Sequence, residues 1–240
     1  MWQEYNKAKQ AYSATHELYD DHTIATFLYE ALRVNKSDLS KEKFLSAFIG
    51  KQRPGGTEAL QAWDLKNAFL LLQEKAGQRA PFTMELVQQA AAEVMKHTGR
   101  EITTSVGRYD SSLGDFRLGE DYNETYPLAD FRQIPELLDN LCKDTNHKLS
   151  NVNGIDVPRL AARFLYDYAY IEPFGEGNLL TGLLLMNYIQ LFHNEPLIII
   201  FAASRPDLLN ALKRNPQHPS PEILENVIVM EQTAFFKRQN

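Results

Sequence analysis

The chain has 240 residues, of which 44% are hydrophobic and 23% charged, with a formal net charge of -6. That is enough for one sizeable domain, or a domain with a smaller helical lobe, and the acidic balance argues against a general nucleic-acid binder, which is usually basic on one face. A single cysteine, Cys142, excludes an intramolecular disulfide and a cysteine metal cluster.

The N-terminal segment is polar and charged throughout, unlike a signal peptide or a membrane anchor. The longest apolar run, around Leu179 to Phe192, is interrupted by Thr181, Gly182, Asn187 and Gln190 and is too short to span a bilayer. These features make a cytoplasmic protein the default expectation, with no membrane or nucleic-acid partner. From about Tyr12 to Val34 apolar residues recur at helical spacing, among them Leu18, Ile24, Phe27, Leu28, Ala31 and Leu32, and Asp20-Asp21 is a place where the helix can break. Ser37 to Ser40 offers a cap for a short helix through Ile49, and Lys51 to Gly56 stops it with three breakers in a row. The first domain expected is therefore a helical lobe over 1-56, followed by the main domain over 57-240. Thr57 reads as the cap of a helix to Glu74, and Pro81-Phe82-Thr83 opens the next, ending near Gly99.

Between Ile102 and Tyr122, Ser, Thr and Gly interrupt the helical pattern. Ser105 to Tyr109 with Leu113 to Gly119 reads as an extended hairpin. Helical patterning resumes from Pro127 to Leu149, Asn151 to Gly154 is a turn, and Pro158 begins a helix with Phe164, Leu165 and Tyr168 inward. Pro196 to Phe201 reads as strand or buried core, and two further helices start at Pro206 and Pro221. His97, His147, His193 and His218 lack the spacing of a zinc site and read as surface or boundary residues. Cys142, in a leucine-rich helical run, reads as an inert core residue.

The segment Ile171 to Asn194 organises the rest. Pro173, Gly175 and Gly177 make a turn that can approach a ligand, and it opens onto a helix that is apolar on nearly every face. Unpaired amides at such a helix start, with the positive end of the macrodipole behind them, suit a phosphate.

Glu172-Pro173-Phe174-Gly175-Glu176-Gly177-Asn178-Leu179-Leu180-Thr181-Gly182-Leu183 resembles the signature of the Fic (Fido) family, His-Pro-Phe-x-(Asp/Glu)-Gly-Asn-Gly-Arg with a further Arg two residues on. The resemblance implies an all-α fold with a small β-hairpin flap. It also implies transfer of AMP from ATP to a hydroxyl of a target protein, with Mg²⁺ as cofactor. On that pattern Glu172 stands where the His base is usual and Glu176 where the acid holds the metal. Gly177 and Asn178 form the phosphate nest, and Gly107 and Tyr109 lie on the flap against which a target protein docks by strand addition. Relatives often pair through helical faces, which allows a homodimer. In relatives with an N-terminal inhibitory helix a Glu binds the second arginine, and the local counterpart, Ser46 to Lys51, has Gly50 in its place. Arg205 falls near the residues that contact the nucleotide base in relatives.

Pro173, Phe174, Glu176, Gly177 and Asn178 keep the pattern, but the base is a glutamate and both arginines are leucines, Leu180 and Leu183. If each lost arginine contact contributes about 1.5 to 3 kcal/mol, triphosphate binding weakens by about two to four powers of ten. The expectation is a degenerate Fic domain that has lost or strongly reduced AMP transfer and acts as a binding or regulatory module. A divergent enzyme with Glu172 as base and Glu176 as metal ligand, acting on another phosphate donor, remains open. So does a merely acidic rim in which Asn178 caps the helix.

Overall fold

The computed structural model describes residues 1–119, 128–152, 154, 156–213 and 219–239. Along the chain run α1 (Trp2–Thr15), α2 (Asp21–Val34), α3 (Lys41–Ile49), α4 (Thr57–Gly77), α5 (Met84–Met95), the strands β1 (Glu101–Thr104) and β2 (Gly107–Asp110), then α6 (Ile134–Leu149), α7 (Val157–Ile171), α8 (Asn178–Phe192), α9 (Arg205–Leu212) and α10 (Pro221–Gln239). The all-α fold with a small hairpin is therefore as expected.

Helix α8 is the centre. Every residue from Leu180 to Leu191 is buried, and α4, α5 and α7 pack around it. Gly182 is what lets α7 come so near: a Cβ there would lie 2.9 Å from Leu165 and 3.0 Å from the ring of Tyr168. Further along α8, the buried Asn187 uses both ends of its amide. Its Oδ1 accepts from the Ile198 amide at 2.7 Å and its Nδ2 donates to the Ile198 carbonyl at 3.0 Å. That pairing satisfies backbone groups that would otherwise be stranded in the core. It explains why the buried run Leu197–Ile200 is an irregular segment and not a strand.

Capping followed the sequence in most places. Asp20 accepts from the Thr23 amide, Ser40 from Lys43 and Thr83 from Leu86. Thr57 is different: Gly56, with a φ of 86°, takes the cap position and Thr57 becomes the first residue of α4. A residue without Cβ adopts that left-handed entry without strain, so the hydroxyl cap is not used. Helix α1 lay mostly outside the expected helix, which began at Tyr12; its polar composition hides a stripe of Tyr5, Ala8 and Tyr12 buried against α10.

The hairpin is shifted from its expected pairing. β1 and β2 pair antiparallel from Glu101↔Asp110 to Thr104↔Gly107, joined by Ser105-Val106, whereas Leu113 lies in a 3₁₀ turn. Asp110 sets the limit, because its side chain accepts from the Ser112 amide at 2.8 Å and turns the chain out of the strand. A two-residue connection is also the commonest hairpin loop. The end of the expected non-helical stretch beyond Gly119, Pro127 at the start of the next helical pattern, Asn153 of the expected turn and His218 lie outside the described residues.

His97 is not simply a surface residue. Its ring Nδ1 lies 2.6 Å from Asp64 Oδ1, and its amide donates to Asp64 Oδ2 at 2.8 Å. Asp64 is fully buried. Burial and nearby carboxylates push the Cys142 thiol up to about 12, which suits an inert core residue. Among the described residues no helix is long and apolar enough to cross a membrane, and no cluster of His, Cys, Asp and Glu could hold a metal ion.

Candidate functional site

Helix α7 ends at Glu172, which adopts the left-handed conformation, φ 41° and ψ 67°, while its amide still donates to Tyr168 O at 2.9 Å. A non-glycine residue there is held by its surroundings. Arg117 supplies the hold. Its side chain is almost wholly buried, and Nε donates to Glu172 O at 2.7 Å, Nη1 to Gly119 O at 3.2 Å and Nη2 to Ala129 O at 2.6 Å. Nη2 also lies 3.4 Å from Ile171 O, and the Arg117 amide donates to Pro173 O at 2.9 Å. Phe116 and Phe174 bridge as antiparallel partners beside it. The chain that leaves the hairpin is thus a strap along the motif loop, and a buried guanidinium fastens it.

The loop itself is closed by Asn178. Its Oδ1 accepts from the Phe174 amide at 3.0 Å and its Nδ2 donates to the Phe174 carbonyl at 2.6 Å. Gly177, at φ 77°, is the cap of α8, and a Cβ there would lie 2.7 Å from Met95 Sδ. Only glycine fits both that torsion and that contact. Gly175 is pressed just as closely by the hairpin, since a Cβ would meet Tyr109 Oη at 2.2 Å. Tyr109 is buried on β2 against the loop, and Gly107 starts that strand.

The two motif carboxylates have different neighbours. Glu176 Oε1 lies 2.9 Å from Arg100 Nη2, and its Oε2 accepts from Ser111 Oγ at 3.0 Å. Ser111 is itself buried and accepts from the Arg100 amide at 2.9 Å, so hairpin base and loop are tied together. Glu172 instead lines a cavity of about 140 Å³ together with Tyr168, Leu165, Leu179, Leu209 and Leu212. Tyr168 is 1% exposed and its hydroxyl has no hydrogen-bond partner. Burial, and secondarily the Glu172 charge, push its phenol well above the ordinary range. The nearby Thr181 hydroxyl draws it slightly back, yet neither hydroxyl makes a hydrogen bond.

Leu180 and Leu183 turn inward, at 0% and 1% exposure, and are part of the core. Arg205 donates from Nε to Val34 O at 2.7 Å, linking α9 to the end of α2. Arg100 and Arg117 were not singled out from sequence. Arg100 binds Glu176, and Arg117 binds the Glu172 and Ile171 carbonyls, from more than fifty residues away, and no local pattern marks such pairs.

A helical domain with a central buried helix, a glycine loop at its start and a hairpin folded over that loop is the frame on which the comparisons fall. The Fic/DOC family matches residues 81–190, and that segment of the chain is a Fic/DOC-family domain. Among solved structures, a Fic-domain-containing signaling protein from Bacteroides thetaiotaomicron is 14% identical with a TM-score of 0.73, covering 98% of this chain and 92% of its own. Fic-1 from C. elegans is similar at 16% identity and a TM-score of 0.70, over 99% of this chain and 70% of its own. IbpAFic2, solved in complex with adenylylated Cdc42, is 14% identical with a TM-score of 0.59, over 99% of this chain and 71% of its own. No curated protein matches the chain by sequence.

Proposed function

We propose that this Fic domain no longer transfers AMP from ATP and works as a binding or regulatory module. The observation that carries the reading is the fate of the anion-binding parts: Leu180 and Leu183 are core residues, and Glu176 is already engaged by Arg100 and Ser111. The donor set does not fit a magnesium-bound triphosphate. A divalent cation at Glu176 would have to displace a guanidinium, and the two positions where the family signature carries arginines are leucines turned into the core, which supply no cation to a phosphate tail. The amides at the start of α8 still favour a single anion, but one helix end contributes far less than two arginines and a metal ion together.

Regulation through this domain would act on a protein partner at the hairpin, since Val106 and Leu113 expose apolar surface on either side of β2. The structure of IbpAFic2 in complex with adenylylated Cdc42 makes a protein partner the natural class to test. A homodimer, a cytoplasmic setting and the division at residue 56 belong to this proposal as well.

The test is incubation of the full chain with ATP labelled at the α-phosphate, with Mg²⁺ or Mn²⁺, followed by a search for labelled protein. We expect no label above background. Label that appears with wild type and disappears in Glu172→Ala would overturn the reading in favour of a divergent transferase with Glu172 as base and Glu176 as metal ligand.

A further inference from the structure

Helix α10 is apolar on two sides. Leu224, Ile228, Val229, Phe235 and Phe236 are buried, and α1, α7 and α9 pack on the helix. On the other side stand Ile223, Val227, Met230 and Ala234, which at 3.6 residues per turn fall within an arc of about 60°. Ile223 is 54% and Met230 61% exposed, while Val227 and Ala234 are half-buried. A surface helix ordinarily turns charged and polar side chains that way. From Ile223 to Phe236 the charged residues are Glu225 and Glu231 alone, and both are engaged elsewhere. Glu225 Oε1 lies 2.8 Å from Arg163 Nε, and Glu231 Oε1 accepts from Ser204 Oγ at 2.7 Å. Charge meets solvent only at the two ends of the stripe, with Glu222 in the first turn and Lys237 and Arg238 in the last, all exposed.

We propose that a second copy of the chain docks on this stripe, α10 against α10, antiparallel about a twofold axis at Met230. Charge selects both the occupant and the direction. Run antiparallel, each Glu222 comes beside Lys237 of the partner subunit, and the opposed helix dipoles attract. Run parallel, the two Glu222 side chains meet each other and so do the basic ends. A contact in which one patch serves both subunits also closes at two copies. Met230 meets its own counterpart at the axis, where an unbranched side chain adapts readily. Lys237 already reaches Glu4, and Arg238 lies over the Phe201 ring at 5.2 Å, yet both remain exposed. One helix face is smaller than the about 800 Å² per subunit of a standard interface, so the expected Kd is about 10 to 100 µM. The pair gives the homodimer named with the proposed function its contact face, and it rests on that part of the reading alone.

Sedimentation velocity of the full chain at about 1 to 500 µM is the test. Wild type is expected to pass from monomer to dimer over that range and to stop at two copies. Met230→Glu and Met230→Lys alter an exposed side chain, so their unfolding midpoints should stay near that of wild type. Each alone should remain monomeric, because like charges meet at the axis, and an equimolar mixture of the two should regain the dimer. Glu222→Lys should weaken the dimer about threefold to tenfold, and adding Lys237→Glu to it should restore the affinity. A wild-type chain still monomeric at about 500 µM, mass growing beyond the dimer, a dimer that survives Met230→Glu, a mixture that stays monomeric, or tighter association in Glu222→Lys would each overturn the α10 contact. AMP transfer by a chain that pairs in this way sinks only the reading of a non-transferring module. A chain that neither pairs nor transfers AMP sinks this contact alone.

Discussion

The two carboxylates of the motif loop sit four residues apart and live under opposite conditions. Glu176 is saturated, held at the surface by a guanidinium and from beneath by a buried serine hydroxyl. Glu172 lines a largely aliphatic cavity that Tyr168 and Asn178 share. Where every polar group has a partner, a ligand must displace something first. At Glu172 the surroundings are mostly apolar, so the two ends of the loop offer a ligand different chemistry.

The sharpest way to break the comparison is at Arg117, whose guanidinium fixes the backbone of Glu172. Arg117→Met leaves several carbonyls without donors in a buried place, and stability should fall by about 3 to 5 kcal/mol, read from urea unfolding. A loss under about 1 kcal/mol would mean that the strap is not held by this side chain. A smaller effect is expected from Gly175→Ala, which puts a methyl group into Tyr109. Because that contact is backbone against ring, the expected cost is about 1 to 3 kcal/mol, most of it recovered in the double variant with Tyr109→Ala. If the two changes simply add, hairpin and loop are not in contact in solution.

Asp20 offers a reference from outside either neighbourhood. Burial raises its pKa, but the Thr23 amide and then the Thr23 hydroxyl outweigh that, and the carboxyl titrates below its ordinary value of 3.8. The stability it contributes is therefore complete above about that unfolded value and is lost as pH falls through the lower folded one. Asp20→Ala should cost about 1 kcal/mol at neutral pH, and thermal melts of the two chains should converge in strong acid. The smallest change concerns Arg100→Ala. The arginine is largely exposed, so the ion pair contributes about 0 to 1 kcal/mol. Its removal should leave the melting curve nearly unchanged while Mn²⁺ affinity, followed by water-proton relaxation, increases. Unaltered Mn²⁺ affinity would show that the guanidinium is not what closes Glu176.

Much of this architecture could be read before any coordinates. The glycine turn opening on an all-apolar helix marked α8, Pro158 marked the helix that delivers the loop, and Ser40 and Thr83 marked helix starts. These are local signals, carried by residues within a few positions of one another. What escaped was long-range or depended on shape. The hairpin was displaced because alternation alone could not choose between two pairings, and the decision lay in the Asp110 cap. Helix α1 escaped because its buried stripe is two tyrosines and an alanine amid charges. Asp64 with His97, Arg100 with Glu176 and Arg117 with its carbonyls are pairings of distant residues, and a lone cation in a loop looks the same whether it ends in solvent or in the core. The cavity has no linear signature at all, since its wall is gathered from three helices.

Helix α1 has a further consequence for how the chain is made. Its aromatic stripe stacks on the far end of the molecule, with Tyr12 against Phe235 and Phe236, and Lys237 reaching Glu4. During synthesis on a ribosome the first turn of α1 emerges some two hundred residues before the surface it packs on. Until α10 is made, those tyrosines have no partner surface there, so α1 cannot dock in its native place before the last helix is complete.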